Sequence, residues 1–573
     1  MDWLPTSKKE VEARGWDELD VILFSGDAYV DHPSFGSAVI GRVLEADGFR
    51  VAIVPQPNWR DDLRDFRKLG VPRLFFGISG GCMDSMVNRY TANKRLRSND
   101  AYTAGNQAGF RPDDTVTAYS RILKKLFPQI PVIIGGIEAS LRRLTHYDYW
   151  RDTLKPSILL ESRADLLVYG MGEHVIRKAA NCLREGKAIN ELTDIPQTAF
   201  IAENASLSKC GNTDLLLHSY EDCLTDKQKF AENFRLMETE SNKMYAARLI
   251  EPTDGKLIVV NPPEHRMDEH DVDFAFDLPY TRLPHPRYRN KTIPAFEMIK
   301  FSVNIHRGCF GGCSFCTIST HQGKFIASRS EKSILDEIRR VKQMPGFKGC
   351  VSDLGGPSAN MYRMKGRDMG LCGKCSRYSC IFPGLCKNLN NSHSPLLALY
   401  GKVREIEGIK KVFIGSGIRY DLFMDADGFL SREHARYFEE LLQYHVSGRL
   451  KAAPEHCSPR VLKAMRKPDF AIFMKMKEEF DRICRGKNLR QQLVPYFISS
   501  HPGCAETDMR QLAETARRLR LTRLEQVQDF TPTPMTLASV MFYCGFDPYS
   551  GKKLYVARQK EEKLKQKEYF FIG

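Results

Sequence analysis

The run SVNIHRGCFGGCSFCTIS, residues 302–319, brings three cysteines close together in the chain: Cys309, Cys313 and Cys316. Three residues separate the first pair and two residues separate the second pair. The glycines among them let the backbone wrap around a metal centre, because glycine reaches conformations that other residues avoid. Thiolates at this spacing suit a soft metal or an iron–sulfur cluster. Since a cubane normally takes four thiolates, three would leave one iron open for another ligand.

A zinc site is the alternative interpretation of the same run, with His306 or His321 as the fourth ligand. On that interpretation the chain would be a zinc-dependent nucleic-acid-binding protein without turnover. Brown, iron-rich protein would support the cluster, and colourless, zinc-loaded protein would support zinc. The spacing alone leaves both interpretations open.

Strand-like and helix-like segments alternate along much of the chain, which predicts an α/β protein. Over residues 1–190, short apolar strands alternate with helices and predict a doubly wound, Rossmann-like domain. Residues 191–295 are charged and proline-rich, and we predict that they form a connecting region and linker. Residues 296–550 hold six strand–helix units and predict a partial (β/α)6 barrel, with ligands at the carboxyl ends of the strands. Residues 551–573 predict a charged C-terminal tail.

A second group of cysteines lies in a predicted insertion at residues 350–390, in the text LCGKCSRYSCIFPGLCKN. The group consists of Cys372, Cys375, Cys380 and Cys386. This number of thiols fits a closed zinc site, another iron–sulfur cluster or a set of redox-active thiols. Small buried thiols without a metal are the plain structural alternative. Basic residues around the group would favour thiolates electrostatically, and both zinc and iron remain open.

The composition is that of a soluble globular protein with more than one domain. The chain has 573 residues, of which 42% are hydrophobic and 27% are charged, and this length exceeds what one core supports. Its formal net charge of +15 would suit an anionic substrate such as nucleic acid, although a lysine-rich soluble surface explains it more simply. No apolar run is long enough to span a membrane, and the N-terminus lacks a signal peptide. We therefore expect a cytoplasmic protein with reduced cysteines and no membrane contact.

The motif CxxxCxxC with an aromatic residue before its last cysteine, here Phe315, resembles the signature of the radical S-adenosylmethionine (SAM) superfamily. DLGGPS at residues 353–358 resembles the glycine-glycine motif of that superfamily through Gly355 and Gly356. FIGSGIR places Ser416 where the superfamily often binds the SAM ribose. The resemblance implies a [4Fe–4S] cluster on the three cysteines, SAM on its open iron, and an electron donor of flavodoxin or ferredoxin type. It also implies reductive cleavage of SAM to a 5′-deoxyadenosyl radical.

The resemblance extends along the chain to one family within that superfamily. HRGCFGGCSFC, APEHCSPRVLKAMRKP, YFISSHPG and VQDFTPTPMT together resemble the YgiQ-type, or UPF0313, family. This implies a radical SAM enzyme without indicating its substrate. Glu455 and His456, at the end of a predicted barrel strand, are candidate catalytic residues beside SAM or substrate. An enzyme that methylates or methylthiolates RNA is an alternative of the same class, suggested by the basic charge and the second cysteine group.

The N-terminal strands resemble the cobalamin-binding domains that precede some radical SAM barrels. The D-x-H-x-x-G pattern of those domains is absent, since Asp31 and His32 are adjacent and Gly36 follows four residues later. A histidine ligand for cobalt therefore cannot be assigned. We predict a Rossmann-like scaffold that shapes the substrate site, without cobalamin.

Overall fold

The chain alternates strands and helices over most of its length. The structure is a computed structural model that describes residues 3–203, 214–264, 267–521 and 527–570. Within these stretches the strands, numbered β1 to β22 in chain order, are Val21–Ser25, Val51–Pro55, Phe75–Ser79, Val132–Gly135, His146–Asp148, Thr153–Lys155, Leu166–Val168, Thr198–Glu203, Leu215–Leu216, Leu249–Thr253, Lys256–Val260, Ser302–Asn304, His306–Arg307, Ala327–Ser328, Cys350–Val351, Asp353–Gly355, Lys365–Gly366, Leu389–Asn390, Lys411–Val412, Arg449–Glu455, Gln492–Ser499 and Val527–Asp529. The α-helices of the same stretches, α1 to α22, are Lys8–Ala13, Gly36–Ala46, Arg64–Arg67, Ser85–Arg89, Thr115–Leu126, Gly136–Leu141, Ile158–Ser162, Glu173–Arg184, Tyr220–Thr225, Lys227–Ser241, Glu269–Asp277, Pro294–Ile299, Ile318–Gln322, Glu331–Lys342, Met369–Gly373, Ser394–Arg404, Arg432–Glu440, Pro459–Met465, Phe470–Gly486, Glu506–Arg518, Leu537–Cys544 and Lys560–Glu568. None of these helices combines the length and the apolar character needed to cross a membrane.

A nine-stranded sheet organises the N-terminal half. Its strand order is β2-β1-β3-β4-β7-β8-β11-β10-β9, and the first five of these strands are parallel. Every residue of β1 is buried because helices pack on both faces of the sheet. Leu23 of β1 shares a core with Val39 of α2 and Ile176 of α8. Phe24, on the opposite face, shares a second core with Tyr119 of α5. The α/β class is therefore confirmed.

Much of the predicted connecting region, residues 191–295, is built into this sheet instead of forming a linker. β8 pairs antiparallel with β7 and β11, and β10 and β11 form a hairpin. The pairing of β8 with β11 joins segments that are distant in sequence, so local composition did not show it. Residues 204–213 and 265–266 of this region lie outside the described residues. The domain limits and the doubly wound description of residues 1–190 stay predictions, because the sheet continues past that limit in antiparallel strands.

Parallel strands follow one another in chain order through the second half. β12 pairs with β16, β15 pairs with β19, and β20, β21 and β22 form a further ladder. A parallel bridge between Ile418 and Ala452 connects the chain after β19 to β20. One of these strands lies in each of the six segments that the sequence predicts as strands: FSVNIH, GCVSDL, KVFIGSG, GRLKAAPE, QQLVPYFIS and LEQVQDFTP. The ladders are short and interrupted, and the (β/α)6 description stays a prediction.

The C-terminal part of the chain packs into the N-terminal half. Met535, which precedes α21, and Phe542, which lies in α21, are buried in the same core as β1 and α5. α22 lies in the tail predicted over residues 551–573, of which residues 571–573 lie outside the described part. This tail is not simply solvated, since Lys563 of α22 is only 2% exposed. The two ends of the chain therefore complete one core together.

Candidate functional site

The three cysteines of the triplet lie on one loop between β13 and α13, which we call the cysteine loop (residues 308–317). Its thiols are partly buried and form no disulfide: Cys309, Cys313 and Cys316. The Cys309 amide donates to the Gly323 carbonyl at 3.1 Å, which anchors the start of the loop. Gly308 has a φ of 85°, and a Cβ there would collide with a carbonyl of the returning chain. Glycine is therefore required where the loop begins.

The sulfurs of the cysteine loop are not gathered as closely as a single zinc ion would hold them. Zinc–sulfur bonds of about 2.3 Å hold the sulfurs of a tetrahedral site about 3.8 Å apart. Among the described residues, no three cysteine or histidine side chains bring their ligand atoms within 4.8 Å of one another. A [4Fe–4S] cluster binds each thiolate to a different iron and so holds the sulfurs further apart. The loop therefore suits the cluster, and neither His306 nor His321 completes a zinc site.

Arg419 is the cation beside the cysteine loop, and sequence reasoning missed it. Its Nη1 lies 3.2 Å from the Cys313 sulfur. Its Nε and Nη2 donate to the Asp421 carboxylate at 2.9 and 2.6 Å. Although burial alone would raise the pKa of Asp421, Arg419 holds that pKa below its usual value. The guanidinium is thus fixed where it offsets the negative charge of thiolates. Arg419 is the last residue of the FIGSGIR motif, and its place in that motif is the sequence signal that could have identified it.

Burial raises the pKa values of two thiols of the cysteine loop, those of Cys316 and Cys309. Together with the nearby Cys313 and Cys309 sulfurs, it raises the pKa of Cys316 to about 12. Burial also raises the pKa of Cys309, although Arg419 opposes this change. A bound metal ionises such thiols because it brings positive charge directly to sulfur. Three buried sulfurs beside one guanidinium therefore form a donor set that fits an iron–sulfur cluster.

Three of the four predicted SAM-binding residues meet at the carboxyl ends of β16 and β19. The Ser416 hydroxyl donates to the Asp353 carboxylate in β16, which ties the two segments together. A Cβ on Gly355 would lie 3.0 Å from the Ser416 hydroxyl oxygen. A Cβ on Gly356 would lie 2.5 Å from Cε1 of His306. Glycine at both positions therefore lets the Ser416 hydroxyl and the His306 ring lie close to this backbone, where a side chain would collide with them.

Glu455, rather than His456, lies beside the cysteine loop. Glu455 ends β20 with a φ of 66°, pairs with Lys467 at 3.5 Å, and acts electrostatically on Cys316. Burial raises the pKa of Glu455, although Lys467 opposes the change. The His456 ring is engaged elsewhere, since its Nδ1 accepts hydrogen bonds from the two following backbone amides at 3.0 Å each.

Phe315 is the fourth predicted SAM-binding residue. Its ring packs against the imidazole of His501, which follows β21, with ring centroids 6.0 Å apart.

A cavity of about 540 Å³ lies between the nine-stranded sheet and the segments that come directly before and after the cysteine loop. Its walls come from β1, β3 and β4, from α2 and α8, and from α13, which directly follows the loop. Gly356 lines it as well, so the cavity reaches the predicted SAM residues. His306 on its wall is fully buried, and neither ring nitrogen makes a hydrogen bond of normal geometry. Sequence reasoning missed this cavity because its walls are distant in the chain.

The loop after β1 uses its polar residues within the protein. Asp31 accepts two hydrogen bonds from Arg42 of α2, at 2.6 and 3.0 Å. His32 is buried, and its Nδ1 accepts the Ser34 amide at 3.1 Å. The neighbouring Pro33 and Ser34 line the cavity, whereas His32 does not. This loop therefore brings no histidine to the cavity wall.

The second predicted cysteine group also comes together, in the segment from α15 to the start of β18. Its thiols are all partly buried: Cys372, Cys375, Cys380 and Cys386. Cys350 does not belong to the group, because it lies in β15 opposite Lys411 of β19. The insertion therefore carries four thiols of its own.

Two solved structures resemble this chain at low sequence identity. The radical S-adenosylmethionine methyltransferase TsrM from Kitasatospora setae, with cobalamin and a [4Fe–4S] cluster bound, has a TM-score of 0.49 and 13% identity, and the match covers 94% of this chain and 83% of that chain. The cobalamin-dependent enzyme OxsB has a TM-score of 0.47 and 10% identity, with 87% and 52% covered. At these scores the likeness does not bear on whether this chain binds cobalamin. That this chain binds none stays a prediction.

Comparison with protein families identifies both halves of the chain. The family model described as radical SAM N-terminal matches residues 3–302, and the Radical SAM superfamily model matches residues 303–483. A UPF0313 protein of Bacteroides thetaiotaomicron is 60% identical over 100% of this chain and 94% of its own length. The UPF0313 protein YgiQ of Escherichia coli is 41% identical over 98% of this chain and 82% of its own length. This chain therefore belongs to the UPF0313 family of radical SAM proteins, whose superfamily implies a [4Fe–4S] cluster and SAM.

Proposed function

We propose that this chain cleaves SAM reductively and applies the resulting 5′-deoxyadenosyl radical to a substrate in the cavity beside the cysteine loop. One observation carries the proposal: three partly buried thiols share a glycine-rich loop, and Arg419 lies 3.2 Å from the Cys313 sulfur. When bound there, a [4Fe–4S] cluster supplies an open iron for SAM and the electron that breaks its sulfonium bond. The superfamily match over residues 303–483 supports the same chemistry.

The residues around the loop would bind and orient SAM. Gly355 and Gly356 would meet the methionyl part of SAM with their backbone, as the resemblance of DLGGPS to the glycine-glycine motif implies, while Ser416 and His306 fill the space that side chains there would take. The Ser416 loop, tied to β16, would bind a ribose hydroxyl, as the resemblance of FIGSGIR implies. Glu455 adds a negative charge near the loop, which favours the positive sulfonium of SAM. We assign to SAM the residues Phe315, Gly355, Gly356 and Ser416.

The cavity would hold the substrate. Its volume of about 540 Å³ lies in the usual range of small-molecule sites. Ile40, Ile133 and Ile176 give it apolar walls, and His306 and Gln322 add polar groups on the side of the cysteine loop. Such a site suits a molecule with an apolar body and a few polar groups. A folded RNA is far larger than this cavity and would not fit inside it. That this chain modifies RNA stays a prediction.

Product analysis tests the proposed function directly. Anaerobically reconstituted protein is mixed with SAM and dithionite, and the products are separated by chromatography. We expect 5′-deoxyadenosine and methionine in equal amounts, because one sulfonium bond is broken per electron. Protein that holds its iron and binds SAM, yet releases neither product, would refute the proposal.

Gly36→Trp is expected to block the cavity. Gly36 begins α2 at the mouth of the cavity and is exposed, and a Cβ there meets nothing within 4 Å, so a tryptophan is accommodated without backbone strain. Cells that lack the protein should accumulate its substrate, so a small-molecule extract of such cells should stimulate the formation of 5′-deoxyadenosine by the wild type. We expect the variant to lose at least tenfold of this stimulated activity. Gly486→Trp is the matched control, because its Cβ also meets nothing within 4 Å and it lies outside the cavity, at the end of α19. A full response in Gly36→Trp would place the substrate elsewhere.

A further inference from the structure

The second cysteine group has the hydrogen bonds of a thiolate site. The Asn388 side-chain amide donates to the Cys372 sulfur at 3.4 Å, and the Arg377 backbone amide donates to the Cys375 sulfur at 3.4 Å. Donors aimed at sulfur stabilise the ionised form, which is the form that binds a metal. The insertion therefore offers its sulfurs as ligands and does not merely pack them.

A buried lysine supplies a second, independent sign of negative charge at this group. Lys324 is only 3% exposed, and its Nζ donates to the Arg377 carbonyl at 2.6 Å. Within the described stretches, no carboxylate lies within 4.0 Å of that ammonium. Its charge instead acts on the sulfurs of Cys372 and Cys380. A buried ammonium is costly without an opposite charge, and a metal centre with four thiolates supplies that charge.

The second group packs directly against the cysteine loop. The Cys380 amide donates to the Phe310 carbonyl at 3.1 Å, and the Ser379 hydroxyl donates to the Gly311 carbonyl at 2.9 Å. A small apolar cluster around Phe310 is bordered by thiols of both groups: Cys309, Cys380 and Cys386. Backbone hydrogen bonds and one shared apolar cluster therefore connect the two sets of thiols.

The sulfurs of the second group, like those of the cysteine loop, are not gathered as closely as a single zinc ion would hold them. No three of its sulfurs lie within 4.8 Å of one another in this described part of the chain, whereas one zinc ion would hold them about 3.8 Å apart. We propose that Cys372, Cys375, Cys380 and Cys386 hold a second [4Fe–4S] cluster, which passes electrons to the centre on the cysteine loop. The cluster accepts one electron and gives up one electron, and no bond forms or breaks. The transfer step rests on the proposed function, whereas the metal site does not.

The solvent side of the second group suits a protein that delivers electrons. The exposed side chains around the four thiols include three basic ones and one acidic one, namely Lys374, Arg377, Lys387 and Asp368. Leu371, next to them, is 58% exposed. A basic rim around an exposed apolar residue fits the acidic surface of a one-electron carrier of flavodoxin or ferredoxin type. The second cluster would thus lie between the carrier and the cysteine loop.

Iron and zinc analysis tests the second site without reference to activity. Anaerobically reconstituted wild-type protein is expected to hold about eight irons per chain, four for each cubane. A variant with Cys372→Ser and Cys375→Ser is expected to hold about four irons, with the electron paramagnetic resonance signal of one cluster lost. Cys350→Ser, in the neighbouring β15, is the control and should keep about eight irons. About four irons together with one zinc in the wild type would overturn the proposal, and that result does not depend on the folding of any variant.

The choice of reductant tests the transfer of electrons. Dithionite is small and can reduce the centre on the cysteine loop directly, whereas a flavodoxin must deliver electrons at the surface. We expect the double variant to lose at least tenfold in 5′-deoxyadenosine formation with reduced flavodoxin, while the loss with dithionite is under threefold. Equal losses with both reductants would overturn the transfer role. If the wild type holds eight irons and forms no product with dithionite, the proposed function fails and the metal site stands.

Discussion

Cys313→Ala is expected to abolish the release of 5′-deoxyadenosine from SAM. Each thiolate of the cysteine loop would bind a different iron, so the variant would leave the cluster with two protein ligands. Arg419, whose Nη1 lies 3.2 Å from the Cys313 sulfur, would also lose its partner on the loop. The product is measured by chromatography after anaerobic reconstitution, and iron is counted in the same samples.

Cys350→Ala provides the matched control for this experiment. Cys350 is partly buried like Cys313, but it lies in β15, outside both groups of thiols. We expect this variant to form product at the wild-type rate. Wild-type activity in Cys313→Ala would show that the cysteine loop does not hold the reactive centre.

Glu337→Ala is expected to lower the free energy of unfolding by about 3–5 kcal/mol. Glu337 is 2% exposed in α14 and forms ion pairs with both Arg329 and Arg282. These two guanidinium groups also donate to carbonyls of β12, at 2.8 Å each, just before the cysteine loop. Removing the carboxylate leaves the buried Arg282 without a counter-charge and Arg329 with Asp277 alone, at 3.8 Å, which is costly in a low-dielectric interior. Denaturant unfolding followed by circular dichroism measures the change.

Glu439→Ala is the corresponding surface control. Glu439 pairs with Lys487 at 2.6 Å, but the two side chains are 43% and 47% exposed. Because water and salt screen such a pair, we expect a change of about 0–1 kcal/mol. A similarly small change for Glu337→Ala would show that the buried ion pairs do not stabilise β12.

The sequence was sufficient where chemistry depends on neighbouring residues. The spacing of Cys309, Cys313 and Cys316 predicted one loop, and the apolar segments of the second half each contain a strand. Gly355 and Ser416 came from separate short motifs, and the structure places them side by side. These features depend on a few adjacent residues whose types restrict the backbone or the ligand.

The sequence was insufficient where the structure depends on pairing between distant segments. The ion pair of Arg307 with Glu173 joins the strand before the cysteine loop to α8 of the first half. The cavity beside it is formed by segments from both halves of the chain. The antiparallel strands over residues 198–260 escaped prediction for the same reason. Periodicity describes which face of an element is buried, but it does not name the partner.

The packing of α21 into the first core has a consequence for how the protein is made. Proteins are synthesised from the N-terminus, so the cysteine loop leaves the ribosome well before Phe542 does. Until Phe542 and its neighbours arrive, the core that they share with β1 and α5 remains incomplete. The cysteine loop waits for the same segment, because the Ala538 amide of α21 donates to the Ser314 carbonyl at 2.9 Å. The first core and the support of the loop are therefore completed only when synthesis is nearly finished.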